Sequence, residues 1–154
     1  MKITPVMLAK DVLKWLANPA KECPITPKLS NGYVIVKGAK AKEVDVQKHV
    51  KSGKKCEVCG LGGLAVALAT RIDSLKATGG FDYGGGGFYS AEVEYQETIS
   101  FLQPYFTESQ LNQIEDAFED GEGLPRGVES ARARLKAICE SIVANKGKFV
   151  QSYY

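Results

Sequence analysis

Histidine is nearly absent from this 154-residue chain, which carries one, His49. A Ser-His-Asp arrangement or a multi-histidine metal site is therefore confined to a single imidazole. Long apolar runs are missing too. No stretch approaches the ~18 residues of a membrane span, and the start, Met1-Lys2-Ile3-Thr4-Pro5, has neither the apolar segment nor the small-residue cleavage site of a secretory leader. The expectation is a soluble, cytoplasmic protein with no membrane partner. An excess of one charge is also lacking: 20 Lys/Arg against 18 Asp/Glu leave a net charge of +2. That balance argues against a basic protein coating nucleic acid and against an acidic mimic of it, so direct nucleic-acid binding is not expected.

The neutrality is nevertheless assembled from blocks. Residues 1–60 hold 12 basic against 5 acidic side chains, residues 61–125 hold 2 against 11, and residues 126–154 hold 6 against 2. If these blocks keep to separate faces, the molecule is a dipolar binder or a self-pairing subunit.

Helix signals dominate the pattern. Thr4-Pro5 supplies a cap and a first-turn proline, and Leu8, Val12, Trp15 and Leu16 then share a face, which predicts a helix over 5–17. Residues 43–51 predict a short helix closed by Ser52-Gly53. The spacing of Leu61, Leu64, Leu68, Ile72 and Leu75 predicts a long central helix over about 57–76. Beside that leucine stripe, Cys56, Cys59, Gly60, Gly63 and Ala67 make a second stripe of small side chains, which lets a neighbouring backbone approach closely. A further helix is expected over about 91–103. Thr107-Glu108-Ser109-Gln110 is a capping box leading into Leu111, Ile114, Ala117 and Phe118 before Gly121, and a last helix is expected over about 128–145. Residues 33–37 read as one short strand, and the glycine-rich segment 79–87 as a loop without regular structure. The expected fold is mainly α: a single compact domain of five or six helices, with a short β segment near 33–37.

Cys56-Glu57-Val58-Cys59 is the obvious chemical motif. Zinc would need two further ligands, and Cys23, His49 and Cys139 are the remaining sulfur and imidazole donors, so a site such as Cys23/His49/Cys56/Cys59 would have to be assembled from separate segments. A redox pair at a helix start would draw on the dipole and on Lys54 and Lys55, but the βαβ pattern of a thioredoxin-like domain is missing. The reading favoured here is that both cysteines are small core residues, with no metal and no cofactor. Gly60-Leu61-Gly62-Gly63 lacks the preceding strand and the following Lys-Ser/Thr of a phosphate loop. The acidic run from Asp116 to Gly123 lacks the donor spacing of a calcium loop. Glu115 and Glu119, like charges four residues apart, cost a helix a few tenths of a kcal/mol and point weakly to a basic partner.

The segment 81–89 is the best candidate for contact. Its glycines allow close approach, and Phe81, Tyr83, Phe88 and Tyr89 offer flat faces to a base or to a partner's side chain, or else fold back over the core. Lys51, Lys54 and Lys55 are the candidate anion site to accompany them; the alternative is a solvated lysine cluster.

Three segments carry a resemblance: 53–63 with its Cys-x-Val-Cys-x-x-Gly, 106–119 with Thr-x-x-Gln-Leu-x-x-Ile-Glu, and 133–149 ending in Ile-x-x-Asn-x-Gly-x-Phe. In this order they are similar to a set of small bacteriophage accessory proteins. The resemblance implies phage origin, a non-virion role and residence in the host cytoplasm; it implies no catalytic activity. Taken with the residues, the expectation is a non-enzymatic binding protein that antagonises a host defence, by binding a defence protein or by sequestering its nucleotide signal, with a homo-oligomer possible in the nucleotide case. The rival is a small metal or thiol protein centred on Cys56, Cys59 and His49.

Overall fold

The computed structural model describes residues 2–19, 22–29, 33–39, 43–72, 75–81 and 89–152. Among these, the chain order is α1 (Pro5–Ala17), β1 (Ile25–Pro27), β2 (Val34–Ala39), β3 (Glu43–Asp45), α2 (Val46–Lys51), β4 (Cys56–Val58), α3 (Gly60–Arg71), β5 (Lys76–Phe81), β6 (Tyr89–Val93), α4 (Tyr95–Leu102), α5 (Glu108–Asp120) and α6 (Ala131–Ala144). The six strands form one mixed sheet in the order β1-β4-β2-β6-β5-β3, parallel between β1 and β4 and antiparallel elsewhere.

This corrects the expected fold class: the protein is α/β, not mainly helical with one short β segment. The strands escaped the pattern for separate reasons. β1, β3 and β4 are three residues each, too short to show a period of two, and β4 had been absorbed into the start of the central helix. β5 contains Gly79 and Gly80, which weaken a strand locally, yet it is held by β3 on one side and β6 on the other. β6 occupies 89–93, where a helix over 91–103 was expected; Ala91 and Val93 are buried while Glu92 between them is exposed, the alternation of a half-buried strand.

The helix ends follow the local chemistry. Met7 N–H donates to Thr4 Oγ1 at 3.3 Å and Gln110 N–H to Thr107 Oγ1 at 3.2 Å, so both N-caps are made as the sequence indicates. α5 closes on Gly121 at φ 73°, in the left-handed region. Arg134 then donates to the carbonyls of Phe118 and Glu119 at 3.0 and 2.9 Å, placing a cation from the last basic block on the C-terminus of the acidic helix. Asp11 pairs with Arg71 through two contacts of 2.6 and 2.9 Å, and Asp45 with Lys76 at 3.4 Å. Charges from the three blocks are thus interleaved.

One face of the sheet, carrying Ile25, Cys56, Val58, Val34, Val36, Ala91, Val93 and Ala77, is buried; the other presents Glu57, Lys37, Glu92, Thr78 and Lys76. Helix α3 lies in the core, with every residue from Gly60 to Ala69 buried, and it contacts α1, α2, α4, α5 and α6 as well as β1, β2 and β4. Its small residues make this possible. A Cβ on Gly60 would stand 3.0 Å from Phe118 of α5, one on Gly63 would stand 3.1 Å from Leu135 of α6, and one on Gly62 would stand 1.4 Å from the carbonyl oxygen of Tyr33, just before β2. β4 does place these glycines at a strand-to-helix turn, but all three face protein, which leaves no phosphate cradle.

Candidate functional site

The strand register defines two ends of the sheet. Glu57 of β4, Ile35 of β2, Glu92 of β6 and Thr78 of β5 stand level with one another. In one direction from that row lie Ala39 on β2, Tyr89 on β6 and Phe81 on β5, together with Lys55 and Lys54 just before β4 and Pro24 and Cys23 just before β1. Phe81 is paired with Tyr89; Tyr83 and Phe88 lie outside the described residues. β4 and β6 are two strand spacings apart, about 10 Å. The topology therefore brings Lys54 and Lys55 to the sheet end where Phe81 pairs with Tyr89.

Two helices reach this end. The last turn of α1 and the end of α2 enclose a cavity of about 560 Å³ whose lining includes Lys14, Trp15, Glu22, Val50, Lys54 and Lys55. Lys51 is exposed on the last turn of α2 and does not line it. Sequence reasoning missed Lys14 and put Trp15 on one face with Leu8, Val12 and Leu16; those three are buried, whereas Trp15 is partly buried against the core and also lines the cavity. His49, the sole imidazole, is buried with Nε2 at 3.0 Å from the carbonyl of Lys55. A carbonyl only accepts, so Nε2 carries the proton and the ring ties α2 to the approach of β4.

At the opposite end, Cys59 caps α3. Its sulfur accepts from Gly62 N–H at 3.3 Å, and Glu115 on α5 lies close enough that the thiol and the carboxyl perturb one another. Burial, reinforced by Glu119 one turn on, pushes the Glu115 carboxyl up to about 7. Its Oε2 is buried without a hydrogen-bond partner. Burial and then the nearby Glu115 also push up the phenol of Tyr33, whose ring stands 5.0 Å from that of Tyr95 at 60°. Glu115, Tyr33 and Tyr95 were missed as a cluster; the one signal was the unfavourable Glu115/Glu119 spacing.

The Cys-x-x-Cys pair is not on one helical face. Cys56 begins β4 and Cys59 follows its last residue, so three steps of extended chain put their Cα atoms about 10 Å apart, beyond the reach of a disulfide. All four cysteines are free and buried. Burial pushes the Cys56 thiol up to about 12 and holds Cys59 and Cys139 well above the ordinary thiol range. Cys23 donates instead to the carbonyl of Ile25 at 3.1 Å. Among the described residues no group of three or more His, Cys, Asp or Glu could hold a metal ion, so Cys23, His49, Cys56 and Cys59 do not converge. A thiol titrating near 12 is thiolate only to about one part in 10⁴ at pH 8. Iodoacetamide at pH 8 is therefore expected to leave the native chain unmodified over a time that alkylates all four cysteines in denaturant, as read by intact mass.

Comparison with protein-family models, with curated proteins and with solved structures yields no match. Among the described residues no helix is long and apolar enough to cross a membrane.

Proposed function

We propose that the chain is a non-enzymatic binding protein of the phage accessory type, acting against a host defence system by binding one of its components at the sheet end that gathers Lys54, Lys55, Trp15 and the paired Phe81 and Tyr89. The observation that carries this reading is the strand register, which brings Lys54 and Lys55 to the sheet end of the Phe81/Tyr89 pair, together with the cavity there that Lys54 and Lys55 share with Trp15. The reactive groups are not available there, since the thiols are buried and the imidazole is committed to a backbone carbonyl. The three phage-like segments support the setting. They pack on one another, with Gly60 against Phe118 and Ile114, Gly63 against Leu135, and Gln110 exchanging hydrogen bonds of 2.6 and 2.9 Å with the backbone of Phe149.

The test is affinity purification of the tagged chain from a bacterial host, with mass spectrometry of both co-purifying proteins and heat-released small molecules. A defence protein or a nucleotide signal, recovered with the native chain and lost from a Lys54→Glu/Lys55→Glu variant, is the expected result. Recovery of neither class overturns the reading. The contact between Cys59 and Glu115 is the one observation that favours a thiol protein instead, since a carboxylate touching a thiol is a base in place. Rapid alkylation of Cys59 alone in the native chain would establish that alternative.

A further inference from the structure

We propose that the cavity between the ends of α1 and α2 is a nucleotide site, in which Trp15 provides the surface for the base and Lys14 and Lys54 bind the phosphates. The inference rests on the reading of this sheet end as the contact surface and names the ligand class it takes.

The lysines there exceed what the fold requires. Cations near helix C-termini ordinarily satisfy the last carbonyls, but several of those carbonyls are bonded by other groups. At the end of α1, Arg132 donates to the carbonyls of Leu16 and Asn18, and Asn18 N–H donates to Trp15 O at 3.1 Å. At the end of α2, Ser52 N–H donates to Lys48 O at 3.0 Å, Gly53 N–H to Val50 O at 3.0 Å and Lys54 N–H to His49 O at 3.3 Å, while Ser52 Oγ also donates to His49 O at 2.7 Å. Lys14 and Lys54 are exposed, and among the described residues neither has an ion-pair partner.

The cavity suits a small ligand better than a protein loop. Its volume of about 560 Å³ falls within the ~300–1,000 Å³ of small-molecule sites. Its lining joins the apolar Trp15 and Val50 to Lys14, Lys54 and Lys55, with a single acidic member, Glu22. An apolar aromatic wall beside cations is the combination that a base with attached phosphates uses, through stacking and charge-assisted hydrogen bonds. Inorganic phosphate would leave the indole unused, and a simple aromatic would leave the lysines unused.

Trp15 is the chain's only tryptophan, so intrinsic emission reports on this site alone. The experiment titrates the full chain with ATP, a cyclic dinucleotide, adenosine and pyrophosphate, following emission and, in parallel, heat. The expected result is a saturable emission change with at least one nucleotide. That nucleotide should bind tighter than adenosine or pyrophosphate, and about tenfold or more weaker in each of Lys14→Glu and Lys54→Glu, surface changes that retain the reporter. Added salt should weaken it, as expected where phosphates meet lysines. Absence of emission change and heat with both nucleotides at millimolar concentration overturns the site. Unaltered affinity in the two charge variants places the ligand elsewhere, and pyrophosphate binding as tightly as the nucleotide removes the role of the indole. If nucleotides fail while a host protein still co-purifies with the chain, this inference falls and the binding function stands; if both fail, both fall.

Discussion

Gly62→Ala is expected to destabilise the chain by on the order of 3 kcal/mol or more, lowering the melting midpoint by about 10 °C or preventing folding. Intrinsic propensity points the other way, because alanine in a helix is better than glycine by about 1 kcal/mol. The deciding fact is position. Gly62 lies in the first turn of α3, where a Cβ would be 1.4 Å from the Tyr33 carbonyl oxygen and 2.6 Å from its carbonyl carbon. Both are backbone atoms, and the same carbonyl accepts from Cys59 N–H at 3.3 Å, so it cannot swing aside without losing that bond. Relief requires moving the start of β2 away from α3, which separates the sheet from the buried helix. Gly53→Ala is the control: nothing lies within 4 Å of its Cβ, and the cost comes from φ 85° alone, about 1 kcal/mol. Thermal unfolding of the two variants side by side checks the argument, and a Gly62→Ala chain as stable as the native one contradicts the close approach.

The same glycine shows how far the sequence could be read. Gly60, Gly63 and Ala67 were recognisable as a small-residue stripe because helical spacing is a local property, and the structure uses it against α5 and α6. What the stripe touches is not local. β2 reaches Gly62 only because β4 stops at Val58 and the chain turns into α3 at Cys59, and a three-residue strand leaves no periodic trace. The helices with strong caps, α1 and α5, were legible to within a residue, since Thr4-Pro5 and Thr107 to Gln110 act within their own first turns. The sheet was not, because its strands gain their stability from partners up to 59 residues away, as between Val34 and Val93, while β4 is held by β1 and β2, and β5 with its two glycines by β3 and β6. The candidate site divides in the same manner. Lys54 and Lys55 stood out as a local cluster, whereas Lys14 and Trp15 join them only through the packing of α1, and Glu115 meets Cys59 only through the docking of α5 on α3.

That last docking makes stability depend on pH in a direction unusual for a carboxylate. Glu115 titrates at about 7 in the folded chain against an ordinary 4.5, chiefly because of burial and then because of the charge on Glu119, with Asp116 adding to it. Between those two values the folded chain holds a proton that the unfolded chain has released. Stability therefore falls as pH rises from about 4.5 to about 7 and levels off above, the reverse of an ion-paired carboxylate. The difference corresponds to roughly 3 kcal/mol at most, and to about 2 kcal/mol once solvent screening of a partly exposed group is allowed for. Glu115→Gln keeps the shape and the contact with the Cys59 thiol but has no proton to lose. Urea unfolding at a series of pH values should show the variant equal to the native chain near pH 4.5 and about 2 kcal/mol more stable at pH 8, the gap opening between. Acidic groups other than its neighbours Glu119 and Asp116 titrate equally in both chains, so the gap reports Glu115 together with its coupling to these two. A constant difference across the series would mean that the carboxyl is ionised throughout, paired in solvent rather than held against Cys59 and Tyr33. A variant less stable at pH 8 would mean that the negative charge itself secures α5 to α3, by keeping the thiol of Cys59 as its donor.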